Sequence, residues 1–130
     1  MQDDKAPPFA MKDRSREHPI AASWRPRFRE VISRFAAGDY ALSSGITGVD
    51  PISPETAEHI RSNVLAYGAT LTALPEAVWE TSSAQWYDSF WDVLVDLWTI
   101  EEGQSDLVLQ ARVLETEAGV RFTIHMVYVP

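Results

Sequence analysis

A chain of 130 residues that is 45% hydrophobic and has no cysteine can bury one core, and it excludes a disulfide framework or a thiolate metal site. Its net charge of −8 is unevenly spread: residues 1–34 hold eight Lys/Arg against five Asp/Glu, and residues 35–130 hold three against fourteen, a local net of −11. Such a body repels nucleic-acid phosphates and favours basic partners. No apolar run approaches the ~20 residues of a membrane helix. The opening stretch, with Asp3, Asp4, Pro7 and Pro8, lacks the charged-then-apolar order of a secretory signal, so a cytoplasmic protein is expected.

Residues 1–22 are polar, proline-punctuated and without apolar periodicity, and they read as a flexible arm ahead of a single domain over 23–130. The first helix is expected from Pro26 to Ala37. Phe28, Val31, Ile32 and Phe35 fall at i, i+3, i+4 and i+7, and Gly38 supplies a left-handed stop. Residues 39–53 read as a loop, and Gly45-Ile46-Thr47-Gly48 lacks the Gly-Lys-Ser/Thr that would make it a phosphate cradle. The second helix opens on Ser53 as N-cap and Pro54 at the first helical position, buries Ala57, Ile60 and Val64, and ends at Gly68. His59 on this helix has no partner spacing for a metal, and no metal or cofactor is expected anywhere in the chain. A short strand or irregular pair is expected around Trp79 and Trp86.

The last forty residues read as a three-strand antiparallel meander. A turn at Glu101-Glu102-Gly103 sets Ile100 opposite Gln104, and so pairs Leu97 with Leu107, Val95 with Leu109 and Val93 with Ala111. A second turn centred on Ala118-Gly119 pairs Val113 with Ile124, Ala111 with Met126 and Leu109 with Tyr128. On the other face this phasing aligns Asp92, Arg112 and His125 in one row and puts Trp98 beside Asp106. The row reads either as a carboxylate orienting an imidazole for acid–base work or as a cross-strand ion pair beside a histidine, and it contains no nucleophile. The face mixes charge with Leu94, Trp98, Val108, Val127 and Val129, so a partner, a second subunit or the arm is expected to cover part of it.

Leu97-Trp98-Thr99-x-Glu101-Glu102-Gly103-x-Ser105-Asp106-Leu107, with Gly38-Asp39-Tyr40 and Tyr67-Gly68-Ala69-Thr70-Leu71 upstream, resembles an uncharacterised family of small bacterial proteins over roughly residues 28–130. That resemblance implies no activity, cofactor or catalytic residue. More loosely, the architecture is similar to cystatin-like and NTF2-like folds, which host both enzymes and binders. The expected fold is therefore α+β: two N-terminal helices packed on a curved antiparallel sheet that ends in the three-strand meander. The expected function is a non-enzymatic acidic binding protein, in its most concrete form an immunity or antitoxin-type protein that neutralises a basic partner through Trp98, Glu101, Glu102 and Asp106. Two alternatives stand beside it. One is a small-molecule binder or enzyme with a cavity lined by Trp79, Trp86 and Trp91; the other is a homodimer subunit that associates through the mixed sheet face.

Overall fold

The strand Trp91–Thr99 (β2) alternates strictly between buried and half-buried residues, with Trp91, Val93, Val95, Leu97 and Thr99 inward. This is the period-two pattern that the sheet is built on. A computed structural model describes residues 10–130. It shows an α+β fold with two α-helices, α1 (Arg25–Ala36) and α2 (Pro54–Tyr67), and a four-stranded antiparallel sheet. The other strands are Ser83–Trp86 (β1), Gly103–Thr116 (β3) and Gly119–Tyr128 (β4), and the spatial order is β1-β2-β3-β4. The expected arrangement needs two corrections: α2 lies in the middle of the chain rather than at its N-terminus, and the meander has four strands rather than three. The short strand expected around Trp79 and Trp86 is β1 at the Trp86 end, where it joins the meander by pairing Ala84 with Val93 and Trp86 with Trp91, while Trp79 sits in a 3-10 turn over Glu76–Glu80.

Local chemistry explains where the helices start and stop. Pro26 occupies the first turn of α1, where its missing N–H is not needed, and Gly38 follows the helix at φ 91°. The Asp39 N–H then reaches back to the Arg34 carbonyl at 2.8 Å, closing the last turn. In α2 the Ser53 hydroxyl accepts the Thr56 N–H at 3.1 Å, and Gly68 ends the helix at φ 84°.

Both hairpins depart from the expected pairing, and each contains a bulge. In the first, Asp92↔Arg112, Val93↔Ala111 and Val95↔Leu109 are partners as expected. The turn itself is Ile100-Glu101-Glu102, flanked by Thr99↔Gly103, with Gly103 in the left-handed region. Between Asp96↔Val108 and Trp98↔Gln104 the register shifts, so Leu97 faces no single residue and is not the partner of Leu107. Leu97 and Leu107 nonetheless share the buried face. Ser105 fills the bulge: its buried hydroxyl donates to the Leu97 carbonyl at 2.7 Å and accepts the Leu107 N–H at 3.1 Å. Ser105→Ala removes both partners and should cost about 1–3 kcal/mol. An unchanged urea midpoint for that variant would refute the role.

In the second hairpin Thr116↔Gly119 closes a shorter turn than expected, and Val113 pairs with Phe122, Ala111 with Ile124 and Leu109 with Val127. The register shifts between Gln110 and Ala111, so His125, the residue between Ile124 and Met126, has no Cα partner. On the turn side of the bulge the shorter turn sets Arg112 opposite Thr123 rather than His125. The bulge lets Phe122, Ile124 and Val127 all turn inward, although 124 and 127 differ in parity.

Of the expected arm, residues 1–9 lie outside the described residues. Within residues 10–22 most side chains are exposed, and the stretch is tied to the sheet at a few points. His18 exchanges two backbone hydrogen bonds with Ala84 on the outer edge of β1, at 2.9 and 2.8 Å, and Ile20 and Ala21 are fully buried. The Trp91 indole donates to the Met11 carbonyl at 3.1 Å. At the opposite edge, β4 exchanges hydrogen bonds with Gly48 and Asp50 through Phe122, and Asn63 of α2 donates to the Val127 carbonyl. Free strand edges template further pairing, and these contacts blunt both. The core lies under the odd-numbered face of β2, where Trp24 packs on Trp91 and Phe28 on Phe122 in edge-to-face contact at 5.1 and 5.4 Å.

Candidate functional site

The β2–β3 hairpin carries five acids, Asp92, Asp96, Glu101, Glu102 and Asp106, before its first cation, Arg112. Among the described residues no ion pair uses any of the five. Five cations of the N-terminal third, Lys12, Arg14, Arg25, Arg29 and Arg34, are committed elsewhere. Lys12 pairs with Glu115, Arg14 with Asp88, Arg29 with Glu76, and Arg34 with Glu30 and Asp39. Arg25 donates to the Ile20 carbonyl and lies 5.3 Å from the Trp79 ring centre. The charge asymmetry visible along the sequence thus cancels over part of the surface and persists at the hairpin.

The five acids do not share one role. Glu101 accepts the Thr70 N–H and the Thr70 hydroxyl, each at 2.8 Å, one on each carboxylate oxygen. Glu102 accepts the Tyr67 hydroxyl at 2.7 Å, and its own N–H donates to the Thr99 hydroxyl. These bonds pin the turn against the segment after α2, where Ile100 and Thr72 also exchange backbone hydrogen bonds with Thr70 and Trp98. Trp98 is half-buried, lies against Gly103 and has its indole N–H buried without an acceptor, so it braces the turn from within. Asp106 is exposed, and its N–H donates to the Tyr67 hydroxyl at 3.1 Å. Of the residues expected to bind a partner, the structure therefore uses Trp98, Glu101 and Glu102 to hold the hairpin and leaves the Asp106 carboxylate free.

The Thr70 N–H, and then the Thr70 hydroxyl, hold the Glu101 carboxyl below its usual 4.5. A carboxylate with a depressed folded-state value contributes stability that is complete above its unfolded value and is lost as pH falls through the folded one. Melting temperature should therefore drop on acidification below about pH 4.5, and Glu101→Gln should flatten that part of the profile. Superimposable profiles for wild type and variant in this range would contradict it.

The Asp92–Arg112–His125 row is only partly assembled. Asp92 and Arg112 are cross-strand partners, yet the guanidinium lies over the Phe90 ring at 4.2 Å, and the Asp92 carboxylate instead accepts from the Gln110 amide at 3.4 Å. Burial lowers the His125 pKa, Arg112 lowers it further, and Asp92 opposes both. His125 stands off register with Arg112, so the expected three-residue row does not form. The cavity expected behind Trp79, Trp86 and Trp91 is not found among the described grooves, none of which those three line together. Trp79 and Trp91 are themselves core residues, packed with Phe28, Phe35, Leu97 and Leu109. Among the described residues no helix is long and apolar enough to cross a membrane.

A family model for a domain of unknown function (DUF7668) matches residues 32–130, which takes in the hairpin motif, α2 and all four strands. The chain belongs to the DUF7668 family. No curated protein and no solved structure matches it. The DUF7668 match begins inside α1, so Ile20, Ala21, Trp24 and Phe28 lie before it, although they complete the core of this chain.

Proposed function

We propose that this DUF7668 protein is a non-enzymatic binding protein of the bacterial cytoplasm, of the immunity or antitoxin type, that neutralises a basic partner. The observation that supports this reading is the division of labour within the hairpin. Two of its acids hold the turn, while Asp92, Asp96 and Asp106 lie on the even-numbered side of the sheet with no cation among the described residues paired to them. Half-buried Leu94 lies between them on the same side, paired across the strands near Val108, which is already buried. Acids of one sign around an apolar strip raise the association rate with a cationic surface and give it something to bury against.

The test is binding of the full chain to purified cationic nuclease domains at low salt and at about 0.5 M salt. A complex that weakens steeply with salt is expected. Asp96→Asn/Asp106→Asn should slow its association severalfold, while changes at Glu101 or Glu102 should show first in stability. Affinity indifferent both to salt and to the loss of Asp96 and Asp106 would reject the proposal.

A further inference from the structure

Strand β4 ends at Tyr128, opposite Val108, whereas β3 runs on to Gly103. Residues 103–107 therefore have no strand on their β4 side. α2 takes over there: Tyr67 reaches the Asp106 N–H with its hydroxyl, and Asn63 caps the Val127 carbonyl. Helix and strand end do not close completely. Between them lies a groove of about 430 Å³ lined by Asn63, Ala66, Tyr67, Leu107, Tyr128 and Val129.

The chemistry of this groove is specific. Leu107, almost wholly buried, and Ala66 give it an apolar lining, Val129 is 51% exposed at its lip, and Tyr67 and Tyr128 bring two aromatic rings. Neither acid lines the groove itself; both stand at its Tyr67 end, where the Glu102 carboxylate accepts the Tyr67 hydroxyl at 2.7 Å and the Asp106 backbone N–H donates to that hydroxyl at 3.1 Å. An anion would be repelled by the acids grouped at the Tyr67 end of the groove. A purely apolar group would strip water from those carboxylates and return nothing. A cation on a slender apolar stem satisfies both features, and a planar guanidinium adds stacking on a tyrosine ring and a two-pronged match to a carboxylate.

We propose that this groove receives an arginine side chain presented by the basic partner, with Tyr128 and Tyr67 packing against the guanidinium and Asp106 and Glu102 supplying the charge. The inference rests on the binding reading above and gives it an anchor point. It moves the centre of recognition from Trp98, which braces the turn, to the pair of tyrosines on the far side of β3.

The experiment titrates the ¹⁵N-labelled full chain with the peptide acetyl-Gly-Arg-Gly-amide and, separately, with the same peptide carrying citrulline, which keeps the shape and removes the charge. The expected result is saturable shifts of the Asp106, Leu107 and Val129 amide signals with arginine, and binding several-fold weaker with citrulline. Tyr128→Leu should weaken the arginine peptide about 2- to 30-fold, and Tyr128→Phe should retain it. Equal shifts with both peptides, no saturable shift up to about 50 mM, or an arginine affinity unchanged in Tyr128→Leu would each overturn the groove assignment. Should Tyr128→Leu fail to fold, the comparison of arginine with citrulline on the unaltered chain decides alone. A cationic domain that binds Tyr128→Leu as tightly as wild type would sink the groove and leave the binding function standing. Saturable arginine binding in a chain that no cationic domain recognises would do the reverse.

Discussion

A chain cut to begin at residue 32, where the family match starts, is expected to be unfolded in water at 25 °C. The cut removes Ile20, Ala21, Trp24, Phe28 and Val31, all of them in the core. Trp24 and Phe28 are the rings that pack on Trp91 and Phe122, so their loss uncovers the buried face of the sheet at β2 and β4. Truncating one large buried aromatic costs about 3–5 kcal/mol, and a whole domain of this size is stable by about 5–15 kcal/mol. Two such losses alone consume most of that margin. The cut also strips the His18 backbone from the edge of β1, leaving a strand of four residues with a bare side. Circular dichroism with urea denaturation decides it: the account predicts no cooperative transition, and a truncated chain that melts at the wild-type midpoint would contradict it.

Trp91→Ala should be the most damaging of the single substitutions considered, costing about 3–5 kcal/mol. The side chain is buried against Trp24 at 5.1 Å and Trp86 at 4.5 Å between ring centres, and it stands at the start of β2 where three parts of the chain meet. Its indole N–H also holds the Met11 carbonyl, so the substitution both opens a cavity and unties the segment along β1. The loss should appear as a lower urea midpoint together with faster amide exchange at Ala84, whose N–H is bonded to the His18 carbonyl. A destabilisation under about 1 kcal/mol would mean that the Trp24–Trp91 contact is not part of the core as described.

What could be read from the sequence, and what could not, follows from how local each signal is. Ser53, Pro54 and Gly68 mark the ends of α2 by chemistry confined to one turn, and all three perform the expected role. The glycine after the acidic turn is likewise needed in the left-handed region, because the hairpin twist requires it there. The bulges carry no comparable mark. Phe122, Ile124, Met126 and Tyr128 alternate without a break, so the unbulged phasing looks complete; only the packing, in which Val127 and not Met126 is fully buried, demands the extra residue at His125. Ser105 is a small polar residue whose inward position becomes evident only once Leu97 is seen to offer it a carbonyl. Residues 10–22 escaped a composition-based reading because they hold the sheet largely through the backbone of His18, which no side-chain pattern reports.

The candidate site divides in the same way. The concentration of acid in the hairpin is plain in the sequence, since charge requires only counting. Which acids are spent on Thr70 and Tyr67 depends on contacts made across about thirty residues of chain, and neighbouring glutamates at 101 and 102 give no hint of it. The arginine groove is further from reach, because it exists only where β4 stops short of β3.

The claim at the centre of this account is that the unpaired acids beside the apolar strip of β2 and β3 hold a basic partner. Its most direct test is the dependence of affinity on salt for one cationic domain, measured with the wild-type chain and with Asp92→Asn/Asp96→Asn/Asp106→Asn. The account predicts a shallower salt dependence and slower association for the variant, with its urea midpoint unchanged. Identical salt dependence for the two proteins would contradict it.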